Sequence, residues 1–434
     1  METQLKEIDK YLMTNLYPTH RIFVKRAEGA FVYDIEGRRY LDFMTVVTTA
    51  TLGHNFNGLR NVLSEVSERI IAGNGYNWYT EELLKAAKLV IKLFNNESIY
   101  NKVHFKLSGS EGIELAIKIA KRYTKRNNIA VFMGGYHGRT YLTGVYHGIR
   151  RKEYGPLPPG IMILPFPYKY RSVYSEIDDN TYSKVIIEEI ENYIKNNSDL
   201  ACLISEPIQG IGGIVVPPSN FFALLSRLLK EYGILLIMDE IQTGMGRTGK
   251  VWGFENFNVN PDIVVAAKGM TGGLPASAVV TNDRIAASMQ LGDEHSTFGA
   301  SALIMSAVAY SIEYFLNNKD NLLSNVKVMG DYSLKRLNEL REKHPIIGDV
   351  RGMGLMIGIE LIKDRKTKEP ATKETNEICL NKALKKGLLV VSSGWYGNVI
   401  RFAPPFIVNK EQIDEAIDIL DKSLYEIERE SGIN

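Results

Sequence analysis

Residues 234–275 read I-L-L-I-M-D-E-I-Q-T-G-M-G-R-T-G-K-V-W-G-F-E-N-F-N-V-N-P-D-I-V-V-A-A-K-G-M-T-G-G-L-P. Two runs in this stretch, 234–238 and 263–267, are apolar, mostly branched and of strand length, with Gly233 before the first and Pro261 before the second. Each ends in charge, the first in Asp239 and Glu240 and the second in Lys268. Buried strands of this kind point to an open α/β sheet, where ligands sit beyond the carboxyl ends of the strands. The spacing predicts that Asp239 and Lys268 reach the same sheet edge. Taken singly, such a lysine reads as a strand end meeting water, and such an aspartate as a cap or turn residue.

The pair says more than either member. An amine and a carboxylate at neighbouring strand ends are what pyridoxal phosphate needs: a nitrogen that forms an imine with its aldehyde, and a partner that keeps its pyridine nitrogen protonated. The runs L-L-I-M-D-E-I-Q-T-G-M-G-R-T-G-K (235–250) and A-A-K-G-M-T-G-G-L-P (266–275) closely resemble the class III, pyridoxal-phosphate-dependent aminotransferases, best known through 4-aminobutyrate aminotransferase. The resemblance extends from about residue 31 to about residue 405. It implies an α/β chain of fold type I, with a mostly parallel sheet in a large domain and a smaller α+β domain. By the same resemblance Lys268 is the Schiff-base lysine, Asp239 the partner of the ring nitrogen, and Gln242 a donor to the ring's phenolic oxygen.

Length and composition fit that picture. A chain of 434 residues exceeds one ordinary core, and 45% hydrophobic content leaves ample apolar surface to bury. The expected division is 1–55, an N-terminal segment packing with the small domain, 56–318, the large cofactor domain, and 319–434, the small C-terminal domain. Lys and Arg number 52 against 50 for Asp and Glu, a net charge of +2 that gives no field for steering nucleic acid or a membrane surface. Two cysteines, Cys202 and Cys379, exclude a disulfide framework, and no residues show metal-ligand spacing. The first residues lack an apolar core of signal-peptide length, and no uncharged run spans a membrane, so a cytoplasmic protein is expected.

Earlier in the chain, 21–42 reads as a hairpin turning at Glu36-Gly37. The following segment, 43–54, enters the active site in the family; a buried connector is the other reading. The aromatic loop G-N-G-Y-N-W-Y (73–79) either covers the core or walls a pocket, and the resemblance makes Trp78 and Tyr79 pocket candidates. A strand over 102–107 runs into S-G-S-E and a helix, which reads as an N-cap or as an anion site. Matched to the family, Ser108, Gly109 and Ser110 become the cradle of the cofactor phosphate.

The strand 128–133 exits through G-G-Y-H-G-R-T (134–140). Here the family pattern lays Tyr136 flat on the pyridine ring, keeps His137 beside the cofactor, and makes Arg139 a substrate contact, with a surface ion pair as its other reading. Residues 154–170 read as an irregular Pro- and Tyr-rich loop and 178–196 as an amphipathic helix. A strand at 201–205 ends in E-P-I-Q-G-I-G-G, where the resemblance places Glu206 near the phenolic oxygen and the lysine. Thr297, in H-S-T-F-G, corresponds to the threonine that reaches a partner subunit's phosphate, although Ser301-Ala302 replaces the family's Asn-Pro. The helix over 301–316, apolar on most faces, is expected at a subunit or domain interface. Arg401, ending an apolar run in G-N-V-I-R-F-A-P-P, matches the arginine that takes a substrate carboxylate, for which a guanidinium's bidentate geometry is suited.

The resemblance implies a homodimer or a dimer of dimers that moves an amino group from a small-molecule donor to a 2-oxo acid. Racemisation, dialkylglycine decarboxylation and a catalytically silent binding protein are the alternatives on this architecture. Retention of Lys268 and Asp239 counts against the last. Val47 stands where dialkylglycine decarboxylases carry a glutamine that supports loss of carbon dioxide, so decarboxylation is expected to be poor. Ile211 stands where 4-aminobutyrate aminotransferases carry a glutamate, and it offers Arg401 no carboxylate. Acidic or ω-amino acids such as 4-aminobutyrate, with 2-oxoglutarate as acceptor, are the expected substrates.

Overall fold

The computed structural model describes residues 1–13, 20–71, 73, 75–144 and 158–431. By its contacts the chain divides into two compact units, Met1–Asn57 with Ser324–Asn434, and Gly58–Leu323.

Gly58–Leu323 is built on a seven-stranded sheet in the order Lys102–Lys106, Ser277–Thr281, Ile263–Ala267, Leu235–Asp239, Leu200–Ser205, Asn128–Phe132, Ile161–Leu164. The three central strands, Leu200–Ser205, Leu235–Asp239 and Ile263–Ala267, are buried at every position, as their unbroken apolar runs require of strands covered on both faces. Ser277–Thr281 alone runs antiparallel to its neighbours. The other six therefore point the same way and empty onto one edge.

The helix Gly109–Thr124 lies on one face of this sheet through Ile113, Ala116, Ile117 and Ala120, the i, i+3, i+4, i+7 stripe of its sequence. It sits close. A Cβ on Gly112 would fall 2.8 Å from Val265 Cγ1 and 2.9 Å from Ser277 Oγ, so only glycine allows this approach. The apolar helix Ala302–Asn317, expected at an interface, packs within its own unit against Leu59–Arg69 and Glu81–Lys92.

One reading fails here. Residues 154–170 were expected to be an irregular loop, yet Ile161–Leu164 is the edge strand, paired in parallel with Asn128–Phe132. Prolines 158, 159 and 165 bracket the run I-M-I-L and mask it. An edge strand tolerates them because one of its sides needs no ladder donors. Residues 154–157 of that reading lie outside the described residues.

In the other unit the expected hairpin is present as Phe31–Asp34 and Arg39–Asp42, with Val24–Glu28 added on one side and Leu388–Leu389 in parallel on the other. A second, antiparallel sheet runs Ile347–Met353, Met356–Asp364, Val399–Phe402, Val391–Ser393. Its final helix, Lys410–Ser431, starts in a reciprocal cap: Gln412 N donates to Asn409 Oδ1 at 2.9 Å and Asn409 N to Gln412 Oε1 at 3.2 Å.

After Asp42 comes an unusual turn. Thr45, Val46, Val47 and Thr48 have φ of 49°, 48°, 57° and 64°, a left-handed turn made of four β-branched residues. Each costs about 1–2 kcal/mol relative to a right-handed conformation. Its start is tied down: Asp42 Oδ1 accepts the N–H groups of Met44 and Thr45, His54 Nε2 lies 2.8 Å from Asp42 Oδ2, and the Thr45 hydroxyl donates to Ala403 O.

No helix among the described residues is long and apolar enough to cross a membrane, and among them no group of three or more His, Cys, Asp or Glu could hold a metal ion.

Candidate active site

Five strand exits of the large sheet carry the residues singled out from sequence. Asp239, the last residue of Leu235–Asp239, is registered with Val265 of the neighbouring strand, and Lys268 follows three positions later. Glu240 N donates to Val265 O at 2.8 Å, which locks the two exits side by side. Lys268 has φ +48°, a left-handed conformation between the extended Ala267 and the single 3-10 turn Lys268–Thr271. Such strain persists where the surroundings over-determine it, and it clusters at functional sites. The Thr271 hydroxyl, bonded to Lys268 O at 3.0 Å, is one restraint.

Asp239 is buried, and its carboxylate is held from two sides. His137 Nδ1–H donates to Oδ2 at 2.8 Å, and Ile241 N donates to Oδ1 at 3.1 Å. His137 arrives from the exit of Asn128–Phe132, so two separate strands fix this acid. Glu206, at the exit of Leu200–Ser205, is likewise buried and accepts the N–H groups of Tyr136 at 3.0 Å and Gly210 at 2.9 Å. Burial pushes its carboxyl up to about 7, against the pull of His137 and of those two donors.

The exit of Lys102–Lys106 leads straight into a capped helix N-terminus. Ser108 caps the helix Gly109–Thr124 by accepting Glu111 N at 3.3 Å, and Ser277 Oγ donates to Ser108 O at 2.7 Å. The amides of this first helical turn and the helix dipole favour a phosphate. Ser110 Oγ accepts Arg139 N at 3.2 Å, joining this first helical turn to the loop that bears Tyr136. That loop closes on Gly138, whose φ of +139° and 2.3 Å approach of a built Cβ to Ser110 Oγ exclude a side chain.

Other candidates are placed as follows. The Gln242 carboxamide lies flat on Gly210: a Cβ there would meet Cδ, Nε2 and Oε1 each at 2.8 Å. Arg139 Nε donates to the Tyr136 hydroxyl at 3.0 Å. Within this unit Trp78 is 53% and Tyr79 91% exposed, and Thr297 is exposed as well, so these three are not enclosed by their own unit. Val47 and Arg401 belong to the other unit. Val47 lies in the left-handed turn, and Arg401 is fully buried on Val399–Phe402, registered with Gly358 and Val391.

The sequence reading passed over Glu240, Thr243 and Gly210. Glu240 accepts three hydrogen bonds, and Gly210 is the floor beneath Gln242. An acid followed three residues later by a threonine, with two glycines beyond, was the available signal.

A family profile described as aminotransferase class-III matches residues 13–424. The chain belongs to the class III aminotransferases. These enzymes are pyridoxal-phosphate-dependent transaminases of fold type I, and the α/β sheet described above is that fold. Among curated relatives the chain is 35% identical to an alanine/serine racemase of Pyrococcus horikoshii, over 98% of this chain and 89% of the relative. It is 30% identical to a probable 4-aminobutyrate aminotransferase of Bacillus subtilis, over 96% of each. Among solved structures, a thermostable (S)-enantioselective omega-transaminase from Thermomicrobium roseum superposes with a TM-score of 0.90 at 30% identity, covering 98% of both chains.

The aminotransferase edge fits its cofactor by its donor set. A buried carboxylate suits a protonated ring nitrogen, a lysine stands on the adjoining strand exit, and a capped helix N-terminus suits a phosphate.

Proposed function

We propose that this enzyme transfers the amino group of an ω-amino acid of the 4-aminobutyrate type to a 2-oxo acid such as 2-oxoglutarate. What supports this reading is Arg401 at the end of an apolar run, the residue type whose guanidinium grips a carboxylate in bidentate fashion. Ile211, in place of a glutamate, takes no share of that charge. Val47 lacks the hydrogen-bonding group expected of a decarboxylase at its position.

Pyridoxal phosphate, when bound, supplies an electron sink for the bond broken at the substrate carbon. Lys268 Nζ would hold the cofactor through its aldehyde and, once free, would accept the proton lost from the substrate carbon and deliver that proton to the cofactor. Asp239 keeps the ring nitrogen protonated, with His137 orienting the carboxylate. Ser108, Gly109 and Ser110 bind the phosphate. Tyr136 would cover the ring face, Gln242 would donate to the phenolic oxygen, and Glu206 would steady that side. Val47, Trp78, Tyr79 and Arg139 contact the substrate.

In this reading residues 56–318 form the cofactor domain, and 1–55 with 319–434 form the small domain. The enzyme works in the cytoplasm as a homodimer or a dimer of dimers, Thr297 of each copy reaching the phosphate of the other. The exposure of Thr297, Trp78 and Tyr79 within their own unit supports a covering partner.

A second reading, amino-acid racemisation, is favoured by the 35% identity to an alanine/serine racemase. A side-by-side assay separates the two: 4-aminobutyrate, alanine, an ω-amine without a carboxylate, and 2-aminoisobutyrate, each with 2-oxoglutarate. Glutamate formed fastest from 4-aminobutyrate is the expected result. Interconversion of alanine enantiomers without glutamate would establish the racemase instead. Preference for the carboxylate-free amine, or strong carbon dioxide release from 2-aminoisobutyrate, would overturn the proposal.

A further inference from the structure

Between Asp239 and Gln242 stands a carboxylate to which the proposed function gives no task. Glu240 is 1% exposed, and among the described residues it forms no ion pair. Its oxygens are instead filled by donors. Oε2 accepts the Thr243 hydroxyl at 2.6 Å and Gly253 N at 2.9 Å, and Oε1 accepts Phe254 N at 2.7 Å. Thr243 lies near the start of the connection between Leu235–Asp239 and Ile263–Ala267, and Gly253-Phe254 open the 3-10 helix midway along it, so one side chain ties the early part of the connection to its middle.

The fit leaves no room for an alternative plug. A Cβ on Gly253 would lie 2.9 Å from Thr243 Cβ and 3.1 Å from Glu240 Oε2; one on Gly244 would lie 2.8 Å from Glu240 O. Gly244 N also donates to Glu240 O at 2.9 Å, which completes a turn over 240–244 with Gln242 at its centre. On its other side the Gln242 carboxamide rests on Gly210, whose N–H is bonded to Glu206. A buried carboxylate is a costly way to fill space. What it offers over an amide is acceptors only, with no N–H of its own to oppose three donors.

We propose that Glu240 is a positioning residue: its carboxylate sets the 240–244 turn, and thereby the Gln242 carboxamide, so that cofactor retention depends on it. This rests on the proposed contact between Gln242 and the ring's phenolic oxygen. The groups facing Glu240 sharpen the expectation. Asp239 precedes it as the last residue of the strand, Glu255 and the Tyr100 hydroxyl face it from neighbouring segments, and Arg247 is buried in the same loop. Burial pushes the Glu240 carboxyl up to about 7, partly offset by its three donors. Protonation replaces an acceptor with an O–H among donors, so cofactor affinity falls as pH drops through that range.

The test is a double-mutant cycle on pyridoxal phosphate affinity, measured by visible absorbance of titrated apoprotein across neutral pH, with melting of the apoprotein as the control for folding. Glu240→Gln is expected to fold, to bind the cofactor about 10-fold more weakly, and to lose part of the wild-type pH dependence. Gln242→Ala is expected to weaken binding too, and the double variant to be no worse than the weaker single one. Wild-type affinity in Glu240→Gln, or losses that multiply in the double variant, overturns the proposal. Wild-type affinity in Gln242→Ala instead refutes the assigned contact of Gln242. Should Glu240→Gln fail to fold, Thr243→Val removes a single donor: affinity about 3-fold weaker, again not multiplying with Gln242→Ala, supports the proposal, and unchanged affinity overturns it.

Discussion

His137 Nδ1 lies 2.8 Å from Asp239 Oδ2, at the junction of two strand exits 102 residues apart in sequence. The imidazole and the Ile241 N–H leave the carboxylate little freedom to rotate. Asp239→Asn keeps the shape but replaces one acceptor with a donor and removes the charge. This variant should retain the fold and bound cofactor while losing roughly 10²-fold or more in transamination rate. Rate and cofactor content measured on the same preparation check it; an unchanged rate means that this acid does not serve the ring nitrogen.

Lys268→Ala should abolish turnover without unfolding the chain. The backbone strain at φ +48° is shared by alanine, and the Thr271 restraint bonds a main-chain oxygen. Turnover, paired with a melting curve, reads the two effects separately, and full activity would remove Lys268 from the mechanism.

Gly210→Ala should weaken cofactor binding by displacing the Gln242 carboxamide, which a Cβ would meet at 2.8 Å. Overpacking of this sort commonly costs about 1–3 kcal/mol. Titration of the apoprotein with pyridoxal phosphate gives the answer, and wild-type affinity would show that the carboxamide can move away at no cost.

Thr297→Ala should weaken cofactor retention in trans. In mixed assemblies with Lys268→Ala subunits, the loss should appear in the subunit opposite the Thr297 change. A loss confined to the altered subunit contradicts the cross-subunit contact.

Glu206 gives a stability prediction with a definite sign. Burial raises its carboxyl to about 7 in the folded chain, above its ordinary value of 4.5. The folded state therefore holds this proton more tightly than the unfolded one. The stability involved is fully present below about pH 4.5 and is lost as pH rises through 7. Melting of cofactor-free protein between roughly pH 5 and 8 should show a smaller alkaline decline in Glu206→Gln than in the wild type. Parallel curves would rule out this titration.

Much of the sheet edge could be read in advance because its strands are short contiguous apolar runs with marked exits. An apolar run that stops at Asp239 or Lys268 is legible residue by residue, and the strand 263–267 is found as expected. The contacts of Glu240 and Gly210 were hidden because they depend on what folds back onto them. Adjacent acids look alike in a string, and only the return of Gly253 and Phe254 separates Glu240 from Asp239. The turn at 45–48 could not be foreseen either, since four β-branched residues argue locally for extended chain, and the restraint from Ala403 comes from far along the sequence. Ile161–Leu164 was obscured by flanking prolines that are harmless at a sheet edge.

The antiparallel strand Ser277–Thr281 imposes an order on biosynthesis. It separates Lys102–Lys106 from the rest of the sheet, and its Ser277 hydroxyl holds Ser108 O from 169 positions away. While the chain emerges from the ribosome, the strand Lys102–Lys106 and the start of the helix after it lack their sheet neighbour until residue 281 has been made. Contacts of such span are slow to form and leave apolar strand edges exposed in the meantime. A ligand that binds only the finished edge then acts on the yield of folded protein as well as on its chemistry. Supply of the vitamin B6 cofactor during expression should therefore govern how much of the nascent chain escapes aggregation.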